Sequence, residues 1–364
     1  MTNSEKQYFT LLQAAIWNRE VNLSESIDWE AVLALAKYHA TSALICDAAL
    51  RMNDGQMEGK LLNWMTTFLR SELVLHLRLR QVLLMAVDAL HKKGIEPVLL
   101  KGFALAQFYP NPNLRQFGDI DLYVGLDHFH EACAVLRTLP GSYNWDPIEK
   151  DVGRHYNIEF GEFALEIHRV SSESRDPKEN ALYLEMERQG LVLHPQKVEI
   201  EGCSISIPSP TFTVFYTFYH AWYHLLYTGV GWRQMCDIAL ALHAYHGQLD
   251  LDQLAYNLQT LHLMKPWQAF GYLMVEQLGL PEAEMPFYDV QVKRTARKLY
   301  RCIMEEGNFN RKKTPHKANF KLWQKMMSFT GIFADFFRLF TVFPASAFGE
   351  LRVRLKQKLF KLHE

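Results

Sequence analysis

The chain has 364 residues, 49% of them hydrophobic and 22% charged, which excludes a disordered or fibrous protein. This length is at or beyond the size at which one hydrophobic core stops growing, so two or three packed domains are expected. Five cysteines lie scattered without CxxC or CxxxC spacing, which favours free thiols in a reducing compartment over a disulfide framework.

The sequence predicts a cytoplasmic protein without a membrane span. The start, MTNSEKQYFTLLQ, is polar and contains an acid, unlike the basic and then apolar order of a secretory signal. The most apolar late stretch, 331–343, is interrupted by Asp335 and Arg338 and falls short of the about 20 residues that a membrane helix needs.

The net charge of −1 conceals an asymmetry between the two parts of the chain. Residues 311–364 contain twelve Lys or Arg against three acids, a charge of +9, which leaves −10 for residues 1–310. Such a basic segment can attract a polyanion such as RNA or an anionic membrane surface, or it can dock on the acidic body of its own chain.

The first half of the chain changes from helical to strand-like periodicity near Gly94. Residues 5–93 are predicted to form helices, because apolar residues recur at spacings of three and four. After IEPVLL, the stretch KGFALAQFYP is predicted to be helical up to Pro110, and FGDIDLYV alternates as a strand does. Residues 127–139 predict a helix with Asp127 as its N-cap. HYNIEFG and FALEIHRV then alternate as antiparallel neighbours.

The remaining chain returns to helices after a second predicted hairpin, KVEIEG and CSISIP. Ser209-Pro210 opens a long aromatic helix, residues 211–305 are predicted to be helical, and the polar, basic residues 308–319 predict a connector. The predicted fold is α+β, with a small mixed β-sheet flanked by N-terminal helices and a C-terminal helical domain. The predicted domains are an N-terminal helical layer (1–93), an α/β core (94–208), a C-terminal helical domain (209–310) and a basic helical tail (311–364).

Two carboxylates on one predicted strand carry the first functional signal. Asp119 and Asp121 are two residues apart, so both leave the same face, while Ile120 and Leu122 point into the core. Oxygen ligands on a rigid strand suit Mg²⁺ or Mn²⁺, which share them with substrate phosphates. The alternative is a solvated strand face, because an isolated Asp-x-Asp is a weak signal.

The chain around these carboxylates strengthens the signal. The predicted strand VLL ends at Lys101-Gly102, where backbone N–H groups and an ammonium would meet a phosphate and the glycine would let it approach closely. Glu166 is a third strand carboxylate and follows a predicted crossover helix. It shares a face with His168, which is a candidate substrate-binding residue. Three acids on adjacent strands predict two metal ions, one activating an attacking hydroxyl and one neutralising a leaving pyrophosphate.

These motifs resemble the nucleotidyltransferase superfamily of DNA polymerase β, and within it a bacterial branch of uncharacterised nucleotidyltransferases. That branch pairs an LLKG turn, here residues 99–102, with an R-x-x-G-D-I-D-L strand, here residues 115–122. The resemblance implies that Arg115 and Gly118 join Lys101 in the substrate site.

Two departures from the superfamily pattern accompany this resemblance. The usual turn is Gly-Gly or Gly-Ser, whereas Gly102 is followed by Phe103. A hydroxyl contact to the triphosphate is therefore not implied. The positive charge of Lys101 would take the place of that contact. The third carboxylate is more often Asp and is Glu166 here, a longer side chain.

Residues 219–237 are similar to the branch's helical H-x(n)-G-x-G-x-R-x-x-x-D region. The resemblance implies that His224, Arg233 and Asp237 belong to the substrate site, and the last two can pair because they are four residues apart on a helix. His220 and His224 have the spacing of a metal pair, but Ala-Trp-Tyr between them lacks the glutamate of a zinc hydrolase. The aromatic stripe 212–223 is expected to pack in the core rather than to stack on a base.

The resemblance implies transfer of NMP from an NTP to an acceptor with release of pyrophosphate. Asp119, Asp121 and Glu166 would be the catalytic, Mg²⁺-binding residues, and Mn²⁺ is the alternative ion. The acceptor stays open among RNA, protein and a small molecule. One rival function is a non-catalytic nucleotide-binding protein. A glycosyltransferase with Asp-x-Asp is disfavoured, because it would need a Rossmann-like domain where residues 1–93 predict helices.

Several of these side chains also have a purely structural interpretation. Glu166 would pair with Arg169 or Arg154, Lys101 would lie in solvent, and Arg115 would hold its loop through an ion pair.

Overall fold

The computed structural model describes residues 1–21, 26–52, 57, 59–143, 153–161, 163–174, 176–309, 336–337 and 339–360. In this part of the chain, helices surround one mixed sheet of six strands, so the predicted α+β class is confirmed. Most of the predicted connector 308–319 and the start of the predicted basic tail lie outside the described residues.

The helices follow the predicted periodicity, including those expected within residues 5–93. Their bounds are α1 Asn3–Ile16, α2 Trp29–Tyr38, α3 Ser42–Met52, α4 Gly59–His91, α5 Phe103–Ala106, α6 Gly125–Leu136, α7 Pro177–Glu187, α8 Pro210–Tyr227, α9 Trp232–Ala244, α10 Leu251–Thr260, α11 Met264–Leu278, α12 Lys293–Glu306 and α13 Pro344–Phe360. Short 3₁₀ turns lie at Pro112–Leu114, Glu282–Glu284 and Val290–Val292, and a π-helix at Arg188–Leu193. None of the described helices is both long enough and apolar enough to cross a bilayer.

Two predicted local features differ in the structure. The N-cap of α6 is Val124, and Asp127 lies inside the first turn, where its charge still complements the positive end of the helix. The helix expected up to Pro110 is the four-residue α5, followed by turns. In contrast, Ser209 caps α8 as its Ser-Pro sequence predicts, by accepting a hydrogen bond from the backbone N–H of Phe212.

The sheet brings distant strands of the sequence together. Its strands are β1 Val98–Leu99, β2 Asp119–Tyr123, β3 His155–Phe160, β4 Phe163–His168, β5 Gln196–Ile200 and β6 Cys203–Ile207, in the order β3-β4-β2-β1-β6-β5. Both predicted hairpins, β3–β4 and β5–β6, are antiparallel. β2 runs parallel to β4, with α6 and β3 between them in the chain, and β1 runs parallel to β6.

Two large hydrophobic cores hold most of the described elements, and a small third cluster lies between α3 and α4. One large core lies between the sheet, the C-terminal half of α4 and α6, and it includes Ile120 and Leu122, as the alternation predicts. The other joins α1–α3 to α8–α12 and contains Trp232 and Trp267, the largest fully buried side chains. The helices at the two ends of the chain therefore share one core, and the sheet packs beside it.

His39, at the end of α2, has a buried imidazole ring. Its side chain is fully buried between Tyr8 and Tyr38, and neither ring nitrogen bonds to any residue that the structure describes. Burial lowers the pKa of His39 to about 3. The folded protein therefore keeps this ring neutral over a pH range in which an unfolded chain, with a histidine pKa near 6.5, becomes protonated.

This difference predicts acid lability. The contribution of His39 to stability is complete above about pH 6.5 and decreases as the pH falls towards 3, because only the unfolded state then takes up the proton. Between pH 6.5 and 4.5 we expect the free energy of unfolding to decrease by about 2 kcal/mol through this group. Urea unfolding at both pH values should show a smaller decrease in the His39→Phe variant. His246→Gln, at an exposed site, is the control. If the free energy of unfolding falls as much in His39→Phe as in this control, the acid sensitivity comes from other groups.

Candidate active site

A cavity of about 500 Å³ opens where the sheet meets α8 and α9. The sequence predicts the site at this junction. Nine of the eleven predicted site residues line the cavity: Lys101, Gly102, Arg115, Gly118, Asp119, Glu166, His224, Arg233 and Asp237. The other two, Asp121 and His168, lie behind its wall, with side chains only 0% and 2% exposed. The structure thus brings the predicted residues into one region.

The carboxylates of β2 and β4 are juxtaposed by strand register. In the parallel pairing of these strands, Asp121 lies directly opposite Glu166 and Asp119 lies opposite Ala164. Asp119 begins β2 at the cavity rim with 41% of its side chain exposed, whereas Asp121 is completely buried. The two aspartates share a strand face, but they differ in depth by one pleat and therefore in access to solvent.

His168 connects the two inner carboxylates. Its Nε2 atom lies 2.9 Å from Oδ1 of Asp121 and 3.3 Å from Oε2 of Glu166. Burial would lower the pKa of His168, but its hydrogen bonds to both carboxylates outweigh burial and raise it. Burial would likewise raise the pKa of Glu166, but the hydrogen bond with His168 and the charge of Lys101 lower it to about 2. The cluster therefore favours an ionised Glu166 next to a protonated imidazole.

The same three side chains form a candidate metal centre. One oxygen each of Asp121 and Glu166 and one ring nitrogen of His168 lie within 4.8 Å of one another, and the nitrogen is a ligand only when the ring gives up its proton. Asp119, a predicted ligand, is not part of this closest group and stands nearer the solvent. Oδ2 of Asp121 is buried without a hydrogen-bond partner among the described residues, which is costly for a carboxylate oxygen. A cation bound there would remove that cost, so the residues fit a divalent ion.

Lys101 enters the centre from the end of β1. The N–H of Leu100 bonds to the carbonyl of Asp121, which fixes the end of β1 beside this residue. Nζ of Lys101 then lies 2.9 Å from Oδ1 of Asp121 and 3.4 Å from Oδ2 of Asp119. Burial would lower the pKa of Lys101, but the charges of Asp121 and Asp119 outweigh burial and raise it. The ammonium is therefore held in its charged form beside the two aspartates and is not a solvated side chain.

Gly102 closes the turn after Lys101. Its φ of +61° lies in the region that glycine adopts readily, and a Cβ atom here would lie 3.4 Å from the carbonyl oxygen of Asp119. The sequence predicts that backbone N–H groups at the start of the next helix would meet a phosphate. This helix start is a weak phosphate site, because α5 has only four residues. Two of its N–H groups, those of Ala104 and Ala106, already donate to the carbonyls of Lys101 and Gly102.

Arg115 is held by Asp237 in a buried ion pair. Its Nε and Nη2 atoms lie 2.7 and 2.8 Å from the two carboxylate oxygens, and the hydroxyl of Tyr109 donates to the same carboxylate at 2.7 Å. Arg233, expected to pair with Asp237, is more distant at 3.7 Å. The loop-holding interpretation of Arg115 thus has direct contacts in the structure, and the charge of Arg233 is less compensated.

His220 and His224 form a hydrogen-bonded pair on α8. Their Nε2 atoms are 2.8 Å apart, and Nδ1 of His224 lies 2.7 Å from the hydroxyl of Thr228. Burial, together with Lys101 and Arg233, lowers the pKa of His224 to about 3. Burial lowers the pKa of His220 as well, so both rings are expected to be neutral at pH 7 and neither adds a charge to the cavity.

Other cavity residues carried no functional signal in the sequence. Arg154 lies in the turn before β3, with its guanidinium 5.4 Å from the ring centre of Tyr223. Asn308 and Phe309 come from the segment after α12 and reach the cavity through contacts with Gln234 and His224. No local motif marks these positions, because they join the site only through the packing of distant helices.

Comparison with known proteins identifies the family of the chain. Neither the curated proteins nor the solved structures include a match to the chain. A family model described as an uncharacterised nucleotidyltransferase matches residues 25–279, well over half of the chain and the whole stretch that contains the predicted site residues. The chain therefore belongs to this family of uncharacterised nucleotidyltransferases.

Proposed function

We propose that this protein transfers an NMP group from an NTP to an acceptor and releases pyrophosphate, with a divalent cation at Asp119, Asp121 and Glu166. Membership of the family supports nucleotidyl transfer in general terms. The observation that carries the specific proposal is the register of β2 and β4, which places Asp121 opposite Glu166 beside a cavity rimmed by Asp119.

The carboxylates would hold Mg²⁺ or Mn²⁺, since oxygen ligands next to a phosphate site suit these ions. When bound, the ion would neutralise charge on the phosphates and lower the pKa of an attacking hydroxyl. His168 positions Asp121 and Glu166 by bonding to both of them. This contact holds the two carboxylates together, as residues that support metal ligands do.

Cationic side chains of the chain would bind the triphosphate. Arg233 lines the cavity, and its potential partner Asp237 is already bonded to Arg115 and Tyr109. Arg154 and Lys101 line the same cavity. Guanidinium groups match phosphate oxygens well, so these three cations would orient the nucleotide.

The reaction needs no nucleophilic side chain. The acceptor oxygen would form a bond to the α-phosphorus while the bond from that phosphorus to the bridging oxygen breaks. Pyrophosphate then leaves, and the acceptor's proton passes to water in the cleft. Positioning and charge neutralisation supply the catalysis. The glycosyltransferase alternative gains no support, because the described chain before Asp119 contributes helices and the two-residue β1, not a parallel Rossmann sheet.

The proposal predicts metal-dependent nucleotide binding. Titration with each of the four NTPs should show binding that strengthens by at least tenfold when Mg²⁺ is added, because the carboxylates would hold an ion whose charge offsets that of the phosphates. The double variant Asp119→Asn/Asp121→Asn should lose this strengthening. Calorimetric titration of both proteins measures the effect and identifies the preferred base.

An exposed aspartate outside the cavity provides the control. Asp127→Asn, on α6, removes one carboxylate charge and should leave NTP binding unchanged. Binding that neither requires Mg²⁺ nor responds to the double substitution would support the non-catalytic nucleotide-binding alternative. If no NTP binds to a folded protein, the proposal is wrong.

A further inference from the structure

We infer that Lys101 is an internal counter-ion that blocks the carboxylates to a free divalent cation and leaves them when a triphosphate binds, so that cation and nucleotide bind together. The inference rests on the proposed function and deepens it, since it fixes how the site is loaded. It is carried by the position of the ammonium between the two aspartates.

One carboxylate oxygen of the buried Asp121 already has two close partners. Oδ1 of Asp121 lies 2.9 Å from Nζ of Lys101 and also 2.9 Å from Nε2 of His168. The ammonium reaches Oδ2 of Asp119 as well, at 3.4 Å. Oδ2 of Asp121 has no hydrogen-bond partner among the described residues, but a divalent ion held there and by Asp119 would lie next to this ammonium and be repelled by it.

The positive charge of Lys101 also opposes a free cation. Its ammonium lies 2.9 Å from Asp121 and 3.4 Å from Asp119, so a divalent ion held by both aspartates would meet a like charge until the ammonium moves away. Opposite charges this close interact strongly where water is excluded, and Asp121 is completely buried.

Of Lys101 and His168, the two side chains bonded to Oδ1 of Asp121, Lys101 is the one that can move. Its side chain lines the cavity and is 15% exposed, and four rotatable bonds let the ammonium swing towards the cavity while the backbone stays in place. His168 is 2% exposed and is bonded to two carboxylates, so it stays with them. The phosphates of a nucleotide in the cavity would be the new partner of the Lys101 ammonium.

Departure of Lys101 without a replacement would be costly. Asp121 would keep only His168 as a partner, and a buried carboxylate that loses an ionic partner is strongly destabilising. Arrival of the divalent ion removes this cost. The two binding events are therefore coupled, and by linkage the cation must strengthen nucleotide binding by the same factor as the nucleotide strengthens cation binding.

The direct test measures Mn²⁺ binding by electron paramagnetic resonance in the absence of nucleotide. The protein with Lys101 should bind Mn²⁺ weakly, and Lys101→Met should bind it at least tenfold more tightly, because the blocking charge is gone. Addition of a non-hydrolysable NTP analogue should strengthen Mn²⁺ binding at least tenfold in the unmodified protein and much less in Lys101→Met.

Two control variants separate this effect from general changes in charge or folding. Lys101→Arg retains a cation and should bind free Mn²⁺ as weakly as the unmodified protein. Lys197→Met removes a lysine from β5, where it pairs with Glu96 outside the cavity, and should not change Mn²⁺ binding. Mn²⁺ alone should also raise the melting temperature of Lys101→Met and not that of the unmodified protein, which gives a readout independent of activity and of nucleotide.

The outcomes distinguish this inference from the proposed function. Tight Mn²⁺ binding by the unmodified protein without nucleotide would overturn the blocking role of Lys101 and leave the metal-dependent function intact. Suppose that Lys101→Met binds Mn²⁺ but the unmodified protein binds none, even with the NTP analogue. This result would mean that Lys101 replaces the metal permanently. No Mn²⁺ binding by any folded variant, with or without the analogue, would overturn the metal part of the proposed function itself.

Discussion

Replacement of Asp237 by alanine should lower the free energy of unfolding by about 3–5 kcal/mol, the cost of breaking a buried ion pair by removing one partner. Arg115 is 2% exposed, and its Nε and Nη2 atoms both bond to this carboxylate. Without Asp237 the guanidinium would stay buried and uncompensated, and the hydroxyl of Tyr109 would lose its acceptor. Urea unfolding of the purified variant measures the loss.

The expected loss of stability is large because the Arg115–Asp237 pair is buried. A second, more exposed ion pair tests this dependence on burial. Asp47 pairs with Arg51 at 2.9 Å on α3, but about a quarter of the Asp47 side chain is exposed. Asp47→Ala should therefore cost less than about 1 kcal/mol. The double variant Arg115→Met/Asp237→Leu should be more stable than the sum of its single variants predicts, because it leaves no unpaired charge. A cost for Asp237→Ala as small as that for Asp47→Ala would contradict the structure.

The Arg115–Asp237 pair also has a consequence for the site. Arg115 precedes β2 and Asp237 lies on α9, so the pair ties the carboxylate strand to the opposite wall of the cavity. A shift of this wall would move Arg233, which lies one helical turn before Asp237. We therefore expect variants of the pair to weaken nucleotide binding even where they remain folded.

Glu166→Gln should reduce the rate of nucleotidyl transfer by about a thousandfold, the effect of losing several kcal/mol of charge stabilisation in the transition state. The substitution keeps the size of the side chain and removes its charge. The new amide group would still reach His168, so the fold should tolerate the change, whereas the proposed cation would lose one of its three carboxylates. The measurement is pyrophosphate release from the preferred NTP with separate acceptor pools of RNA, protein and small metabolites.

A glutamate on the neighbouring strand supplies the matched control. Glu159 lies on β3 opposite Ala164 and does not line the cavity, so Glu159→Gln should retain the rate within about twofold. The acceptor pool that supports release in the unmodified protein identifies the class of acceptor. A Glu166→Gln protein as active as Glu159→Gln would remove Glu166 from the catalytic set.

The local patterns of the sequence predicted much of the fold. Alternation in FGDIDLYV and FALEIHRV predicted β2 and β4, and the period of three to four predicted the N-terminal helices over their described parts. The Ser-Pro start of α8 was also predictable. The extent of α5 and the cap of α6 were not, because short apolar runs and helix ends depend on packing against neighbours more than on local propensity.

The sequence by itself determined the residue types of the site, the strands that carry them and the family resemblance, since all three depend on short-range patterns. Only the tertiary structure decided that Asp121 is buried below Asp119, that Arg115 takes Asp237, and that Lys101 lies between the aspartates. It also decided that Arg154, Asn308 and Phe309 face the cavity. The physical reason is that depth, ion pairing and cavity walls arise from contacts between elements far apart in the chain, and their free energies depend on the exclusion of water that only packing creates.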